Sequence, residues 1–162
     1  MTATRLPVAQ EVRELVENLL GRGVEAHPAA AGVELDRQHR ENLVGAYATD
    51  EGCLHALVLV DLAAAARLGA ALGLAPRAAA DGAVTAGLLP VQFGENVAEV
   101  LNVAASLFNT DGAPHLRLLA VYGGDAPVPA EVAAAAKALA PRLDLELDVA
   151  GYGTGLWSAV LC

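Results

Sequence analysis

The chain has 162 residues, of which 55% are hydrophobic, and its formal net charge is −9. This length can bury a sizeable core, and we expect a single domain over residues 1–162. The acidic balance argues against nucleic acid and anionic lipid as partners, because both require a basic face. No apolar run reaches the roughly 20 residues that a membrane span needs, and the N-terminus lacks a signal-peptide pattern, so we expect a cytoplasmic protein.

The first third of the chain predicts a helix, a strand and a hairpin. Residues 8–21 place valines and leucines on one stripe, with charged residues opposite, which predicts an amphipathic helix. The next segment loses this period at Pro28 and is interpreted as a strand followed by a loop. Two apolar runs, 43–48 and 53–60, flank an Asp-Glu-Gly turn and predict a β-hairpin.

The middle of the chain is predicted to be helical. Asp61 is placed to cap a helix over residues 62–74. Residues 75–82 are interpreted as a loop, after which a helical pattern resumes. Pro90 either starts or kinks the next helix, which we expect to run to Phe108.

The last third predicts a strand, a helix and a second hairpin. Residues 115–124 form an apolar strand, and a helix is expected between Pro129 and Pro141. Apolar and acidic residues alternate over 143–149, a glycine-rich turn is expected over 151–155, and a final strand follows. Because hairpins outnumber βαβ units, we expect an α+β fold, with a mainly antiparallel sheet and helices packed on it.

The helix after Pro90 returns a polar residue at a regular interval. These polar residues are Glu95, Glu99, Asn102, Ser106 and Asn109. At 100° per residue they share an arc of roughly 80°, while valines, leucines and a phenylalanine occupy the rest of the circumference. The pattern predicts a helix that is buried on most sides and shows a narrow polar face to water.

A polar face can serve solubility alone, but two of its residues are poor choices for that purpose. Asn102 is unfavourable in the middle of an exposed helix, because its side chain competes with the backbone for hydrogen bonds. Glu95 and Glu99 stand four residues apart with like charge, which weakens a helix. The pattern therefore also indicates a functional surface.

The segment Glu99-Val-Leu-Asn102 resembles the E-x-x-N signature of the CheC/CheX family of chemotaxis phosphatases. The order of predicted elements is similar over nearly the whole chain, and the similarity in residues is concentrated at 54–109. A single copy of the motif is typical of the CheX-like kind. The sequence departs from the family at Glu95, where Asp or Ser is frequent, and at strand 115–124, which lacks the usual proline.

The resemblance implies a phosphatase that acts on a phospho-aspartyl, CheY-like response regulator. In that case Glu99 would pair with the active-site lysine of the regulator, and Asn102 would hold the attacking water. Glu95 and Ser106, on the same face, would contact the receiver domain. The Mg²⁺ would belong to the regulator, so we expect no cofactor of this chain's own.

Two other functions stay open from the sequence. The chain can be a non-catalytic adaptor that docks a signalling partner or forms a homodimer, or a small-ligand sensor domain. A metal site is not expected, because the four histidines are scattered and the two cysteines form no metal-binding motif. The Gly-Tyr-Gly-Thr-Gly segment at 151–155 lacks the ending of a phosphate loop and is interpreted as a hairpin turn.

Overall fold

The computed structural model describes residues 2–162. The helices are α1 (Ala9–Leu20), α2 (Leu62–Leu72), α3 (Arg77–Ala86), α4 (Val91–Ala104) and α5 (Ala130–Lys137). The strands are β1 (Val24–Pro28), β2 (Leu43–Ala48), β3 (Leu54–Val60), β4 (Arg117–Tyr122), β5 (Arg142–Val149) and β6 (Gly153–Leu161).

The six strands form one sheet in the order β1-β5-β6-β3-β2-β4, and every neighbouring pair is antiparallel. The two predicted hairpins are β2-β3 and β5-β6. Five helices pack on this sheet, which confirms the expected α+β class. The extent of the domain, expected as residues 1–162, stays a prediction.

The core lies on both faces of the sheet, which explains the uninterrupted apolar run at residues 56–60 of β3. Val58 and Val60 point to the face covered by α1, α2, α3 and α4. Leu57 and Leu59 point to the opposite face, which is covered by α5 and the segment before β2. A strand that is buried on both faces cannot alternate apolar and polar residues.

The loop that we expected over residues 75–82 is wrong, because most of it belongs to α3. Pro76, whose ring presets a helix-compatible φ, directly precedes the first residue of the helix. Ala80 and Ala83 are buried against the main core. Tertiary packing thus makes a helix of an alanine-rich stretch whose own periodicity is weak.

The turn that we expected over residues 151–155 is shorter, because β6 already begins at Gly153. Val149 pairs with Gly153, so the turn spans residues 150–152. Gly155 lies inside the strand, where an added Cβ would stand 2.2 Å from the backbone nitrogen of Ala64 in α2. The glycine is therefore needed for close contact between helix and sheet.

Within residues 2–162, the helices all fall short of the length and apolar character that crossing a membrane would require.

Candidate functional site

Helix α4 carries the candidate site and begins directly after Pro90, so this proline starts the helix and does not kink it. The α-helix ends at Ala104, and residues 105–107 form a 3₁₀ turn. Our expectation that the helix runs to Phe108 is therefore wrong by one turn. The N–H of Ala105 donates to the carbonyls of Asn102 and Val103, which tightens the backbone at this point.

A buried tyrosine accounts for the place where the helix tightens. The hydroxyl of Tyr47, on β2, donates a hydrogen bond to the carbonyl of Leu101. Burial raises the pKa of Tyr47, so the phenol stays a neutral donor. The Leu101 carbonyl, which would otherwise lack a partner inside the core, is thereby satisfied one residue before Asn102.

A second polar contact holds the first half of α4 against α2. The side-chain amide of Asn96 donates to the carbonyl of Gly69 at 2.9 Å. The two helices approach closely here, since a Cβ on Gly69 would lie 2.6 Å from the carbonyl oxygen of Phe93. Any larger residue at position 69 would push α4 away from α2.

The buried side of α4 leaves one face for solvent. Val97, Val100, Leu101 and Ala104 are fully buried. The exposed residues of that face are Glu95, Glu99, Asn102 and, on the 3₁₀ turn, Ser106. We call these four residues the polar strip. Glu99 and Asn102 are about 60° apart around the helix axis, so both side chains project into solvent on the same side.

Asn109, the fifth polar residue of the pattern, lies outside the polar strip. Its amide donates to the carbonyl of Leu116 at 2.9 Å and accepts from the Leu116 N–H at 2.8 Å. The side chain is half-buried and bridges the loop before β4. Asn109 therefore has a structural role, because it replaces two backbone hydrogen bonds that the loop lacks.

The polar strip is acidic and has no partner of its own. Helix α4 contains two glutamates and neither lysine nor arginine. Within residues 2–162, no side chain of the polar strip takes part in a hydrogen bond or an ion pair. The carboxylates can accept from a cation, and the Asn102 amide can both donate and accept. Such a surface is suited to a partner that brings a positive charge.

A second polar cluster lies before β2 on the other face of the sheet. The Nδ1 atom of His39 is 2.7 Å from Asp36 Oδ1 and 3.4 Å from Glu34 Oε2. We call these three exposed residues the 34–39 cluster. The hydrogen bond to Asp36, together with the negative charge of both carboxylates, raises the pKa of His39. The sequence reasoning missed this cluster because it sought histidines in pairs.

The sequence reasoning also missed the two residues that hold α4 in place, Tyr47 on β2 and Asn96 on α4. Neither Tyr47 nor Asn96 belongs to a motif, and each makes its contact with a residue at least 27 positions away in the chain. The only local signal is that Asn96, a polar residue of α4, lies off the arc shared by the polar strip. The two cysteines, Cys53 and Cys162, are free and exposed.

Comparison with known proteins finds resemblance in structure alone. No family model matches the sequence, and neither does any curated protein. The FliM middle domain from H. pylori is 9% identical, with a TM-score of 0.57 over 94% of this chain and 84% of that chain. A chain of the CheX–CheY–BeF₃–Mg²⁺ complex from Borrelia burgdorferi is 12% identical, with a TM-score of 0.57 over 93% of this chain and 92% of that chain.

A CheC-like superfamily protein from Shewanella sp. PV-4 is 12% identical, with a TM-score of 0.52 over 94% of this chain and 93% of that chain. The chain thus has the CheC/CheX/FliM-like fold. The resemblance that the sequence indicated is confirmed at the level of the fold.

Proposed function

We propose that this chain is a phosphatase that hydrolyses the aspartyl phosphate of a CheY-like response regulator. The observation that carries the proposal is the exposure of Glu99 and Asn102 on one face of an anchored helix. Neither side chain has a structural task that would explain its presence there. The likeness in fold to a chain of the CheX–CheY–BeF₃–Mg²⁺ complex supports a receiver domain as the partner.

Asn102 is assigned the positioning of water. An acyl phosphate is already activated, so the visiting protein needs only to place the nucleophile in line with the phosphorus. The Asn102 carbonyl accepts a hydrogen bond from the water, whose oxygen bonds to phosphorus as the P–O bond to the aspartyl carboxylate breaks. The products are the free aspartate and inorganic phosphate, with one proton released to solvent.

Glu99 is assigned the anchoring of the regulator. Its carboxylate, one turn before Asn102, pairs with the lysine beside the phosphorylated aspartate, which fixes the distance between Asn102 and the phosphorus. Glu95 and Ser106 extend the contact along the same face. The Mg²⁺ that neutralises phosphoryl charge belongs to the regulator. The proposal also places the chain in the cytoplasm, where response regulators act.

The test measures the decay of phosphorylated receiver domains with and without the protein. Receiver domains from the source organism are phosphorylated with acetyl phosphate and Mg²⁺, and loss of aspartyl phosphate is followed over time. We expect the protein to accelerate the decay of at least one receiver. Asn102→Ala should lose about 100-fold in kcat, because the water is no longer held in line.

The matched control is Asn18→Ala, which removes an exposed asparagine from α1 and should leave kcat unchanged. Equal decay of every receiver with and without the wild-type protein would contradict the phosphatase proposal. Equal activity of wild type and Asn102→Ala would contradict the role given to Asn102.

The second candidate is a non-catalytic adaptor, which the FliM structures favour. The fold is shared with chains of a FliG–FliM complex and a FliM–SpeE complex, both from H. pylori. An adaptor of this kind, or a homodimer, would bind its partner without changing the lifetime of any aspartyl phosphate. Binding of a receiver that survives Asn102→Ala, without acceleration by the wild type, would favour this candidate. Light scattering after gel filtration reports the homodimer.

A further inference from the structure

The hydrogen bonding of α4 changes directly beside Asn102. In a continued α-helix the N–H of Ala105 would donate to the carbonyl of Leu101, four residues earlier. It donates instead to the carbonyls of Asn102 and Val103. The Leu101 carbonyl accepts its hydrogen bond from the hydroxyl of Tyr47 on β2. A side chain from a distant strand therefore takes the place of a hydrogen bond that the helix would otherwise make itself.

The Leu101 carbonyl belongs to the peptide group that leads into Asn102. Because a peptide group is planar, this carbonyl oxygen lies in one plane with the nitrogen and Cα of Asn102. A hydrogen bond that holds the oxygen also holds the plane, and with it the point from which the Asn102 side chain starts. The exposed Asn102 side chain makes no hydrogen bond within residues 2–162, so its backbone is what positions it.

The hydroxyl of Tyr47 is itself held in a fixed place. Strand β2 is paired on both sides, with Tyr47 opposite Ala56 of β3 and Leu118 of β4. The side chain is fully buried, and its ring centroid lies 5.3 Å from that of Phe108. An added Cβ on Gly45 would lie 3.3 Å from the hydroxyl oxygen, so glycine leaves the room that the phenol needs. A donor that is held in this way fixes the position of its acceptor.

The sheet is irregular at the level of Tyr47. The register of β2 shifts against β3 between Tyr47 and Ala48, and against β4 between Ala46 and Tyr47. The extra residues are His55 on β3 and Leu119 on β4. Such bulges change the direction of a side chain and are frequent next to active sites. Both irregularities coincide with the residue whose hydroxyl reaches α4.

We propose that Tyr47 is a positioning residue for dephosphorylation, which sets the water-holding amide of Asn102 through the Leu101 carbonyl. This inference rests on the proposed function. Glu99 lies three residues before Asn102, in the part of α4 that Asn96 holds against α2. Loss of the Tyr47 hydroxyl should therefore disturb the alignment of the water and leave the anchoring of the receiver intact.

The experiment measures kcat and KM of Tyr47→Phe for a phosphorylated receiver. The value of kcat should fall about tenfold, because a small displacement of the water from the line of attack is enough to slow the reaction. The value of KM should change by less than about twofold, since the contacts that bind the receiver are kept. The Kd for the same receiver loaded with BeF₃⁻ and Mg²⁺ should equal that of wild type.

Tyr152→Phe is the matched control. It also removes a buried tyrosine hydroxyl that donates to a backbone carbonyl, that of Ala75 between α2 and α3. The control should lose stability as Tyr47→Phe does and keep the kcat of wild type. Circular dichroism shows that both variants are folded at the assay temperature.

An unchanged kcat for Tyr47→Phe, measured while wild type accelerates decay, would overturn the role of Tyr47 and leave the proposed function standing. Equal falls in kcat for both tyrosine variants would trace the effect to lost stability and overturn it as well. A rise in KM at constant kcat would show that Tyr47 supports binding rather than the alignment of water. If wild type accelerates the decay of no receiver, both proposals are wrong.

Discussion

The polar strip and the 34–39 cluster are both exposed and polar, but only the side chains of the cluster have hydrogen-bond and ion-pair partners among themselves. In the 34–39 cluster, His39 Nδ1 and Asp36 Oδ1 are 2.7 Å apart, and Asp36 also accepts from the backbone N–H groups of Gln38 and His39 in the 3₁₀ turn at residues 37–39, which it caps. In the polar strip, no side chain makes a hydrogen bond or an ion pair within residues 2–162. Local structure therefore accounts for the residues of the 34–39 cluster, whereas it does not account for those of the polar strip.

The comparison teaches where to look for function in a small acidic domain. Charged groups that satisfy one another stabilise their own loop, and their substitution should alter stability or titration. Substitution of groups that are held in solvent without partners should alter recognition and leave stability unchanged. Helix α4 meets the second description, because Tyr47 and Asn96 anchor its buried side while Glu99 and Asn102 face outward.

The largest expected effect would show whether the polar strip is merely a solubilising surface. Glu99→Lys places a like charge opposite the lysine of the receiver, so kcat/KM for dephosphorylation should fall at least about 100-fold, which corresponds to about 2.7 kcal/mol. Urea unfolding should show no loss of stability, since the side chain is exposed. Glu14→Lys, on α1, is the control, and full activity of Glu99→Lys would show that the polar strip only solubilises.

The next effect tests the support of α4. Tyr47→Phe removes the donor from the Leu101 carbonyl and leaves a buried acceptor without a partner. The free energy of unfolding should fall by about 1–3 kcal/mol, measured by urea denaturation. Tyr122→Phe is the control, because that hydroxyl makes no hydrogen bond within residues 2–162. Equal stability of Tyr47→Phe and wild type would mean that packing alone positions the helix.

A smaller effect separates the last two residues of the polar pattern, Ser106 and Asn109. Asn109→Ala removes both hydrogen bonds to Leu116 and should lower the free energy of unfolding by about 1–2 kcal/mol. Ser106→Ala changes an exposed residue three positions earlier and should be neutral in stability to within about 0.5 kcal/mol. Thermal and urea unfolding of the two variants measure the difference. A similar loss of stability in both variants would contradict the structural role assigned to Asn109 alone.

The smallest effect sharpens the description of the 34–39 cluster. Asp36→Asn keeps a capping side chain but removes the charge, so the pKa of His39 should fall toward its ordinary value. In wild type the raised pKa makes His39 contribute stability below its unfolded pKa, and this contribution is lost as pH rises through the folded pKa. An NMR titration measures this shift, with the other three histidines as internal references. A His39 titration that Asp36→Asn leaves unchanged would contradict the pairing.

Several features could be predicted from the sequence because they depend on residues close together in the chain. Asp61 caps α2 through its carboxylate, which accepts from the Ala64 N–H at 2.8 Å, as its position before an alanine-rich stretch indicated. The α+β class followed from the two hairpins. The common face of Glu95, Glu99 and Asn102 followed from helical rotation alone.

Other features could not be predicted because they depend on distant contacts. The pattern treats Ser106 and Asn109 alike, yet the 3₁₀ turn and Leu116 place them in different environments. The residue that ends α2 was equally hidden. Gly73, directly after α2, was available for the left-handed position, but Leu74 occupies it.

The sequence by itself determined the class of fold, the two hairpins and the helix with one polar face, because hydrophobic periodicity acts over a few residues. Only the tertiary structure decided which part of that face is free and which asparagine is bound. The physical reason is that exposure and backbone strain arise where segments distant in the chain meet. Here α2, β2 and the loop before β4 meet α4, and their contacts separate the residues that hold the fold from those left for a partner.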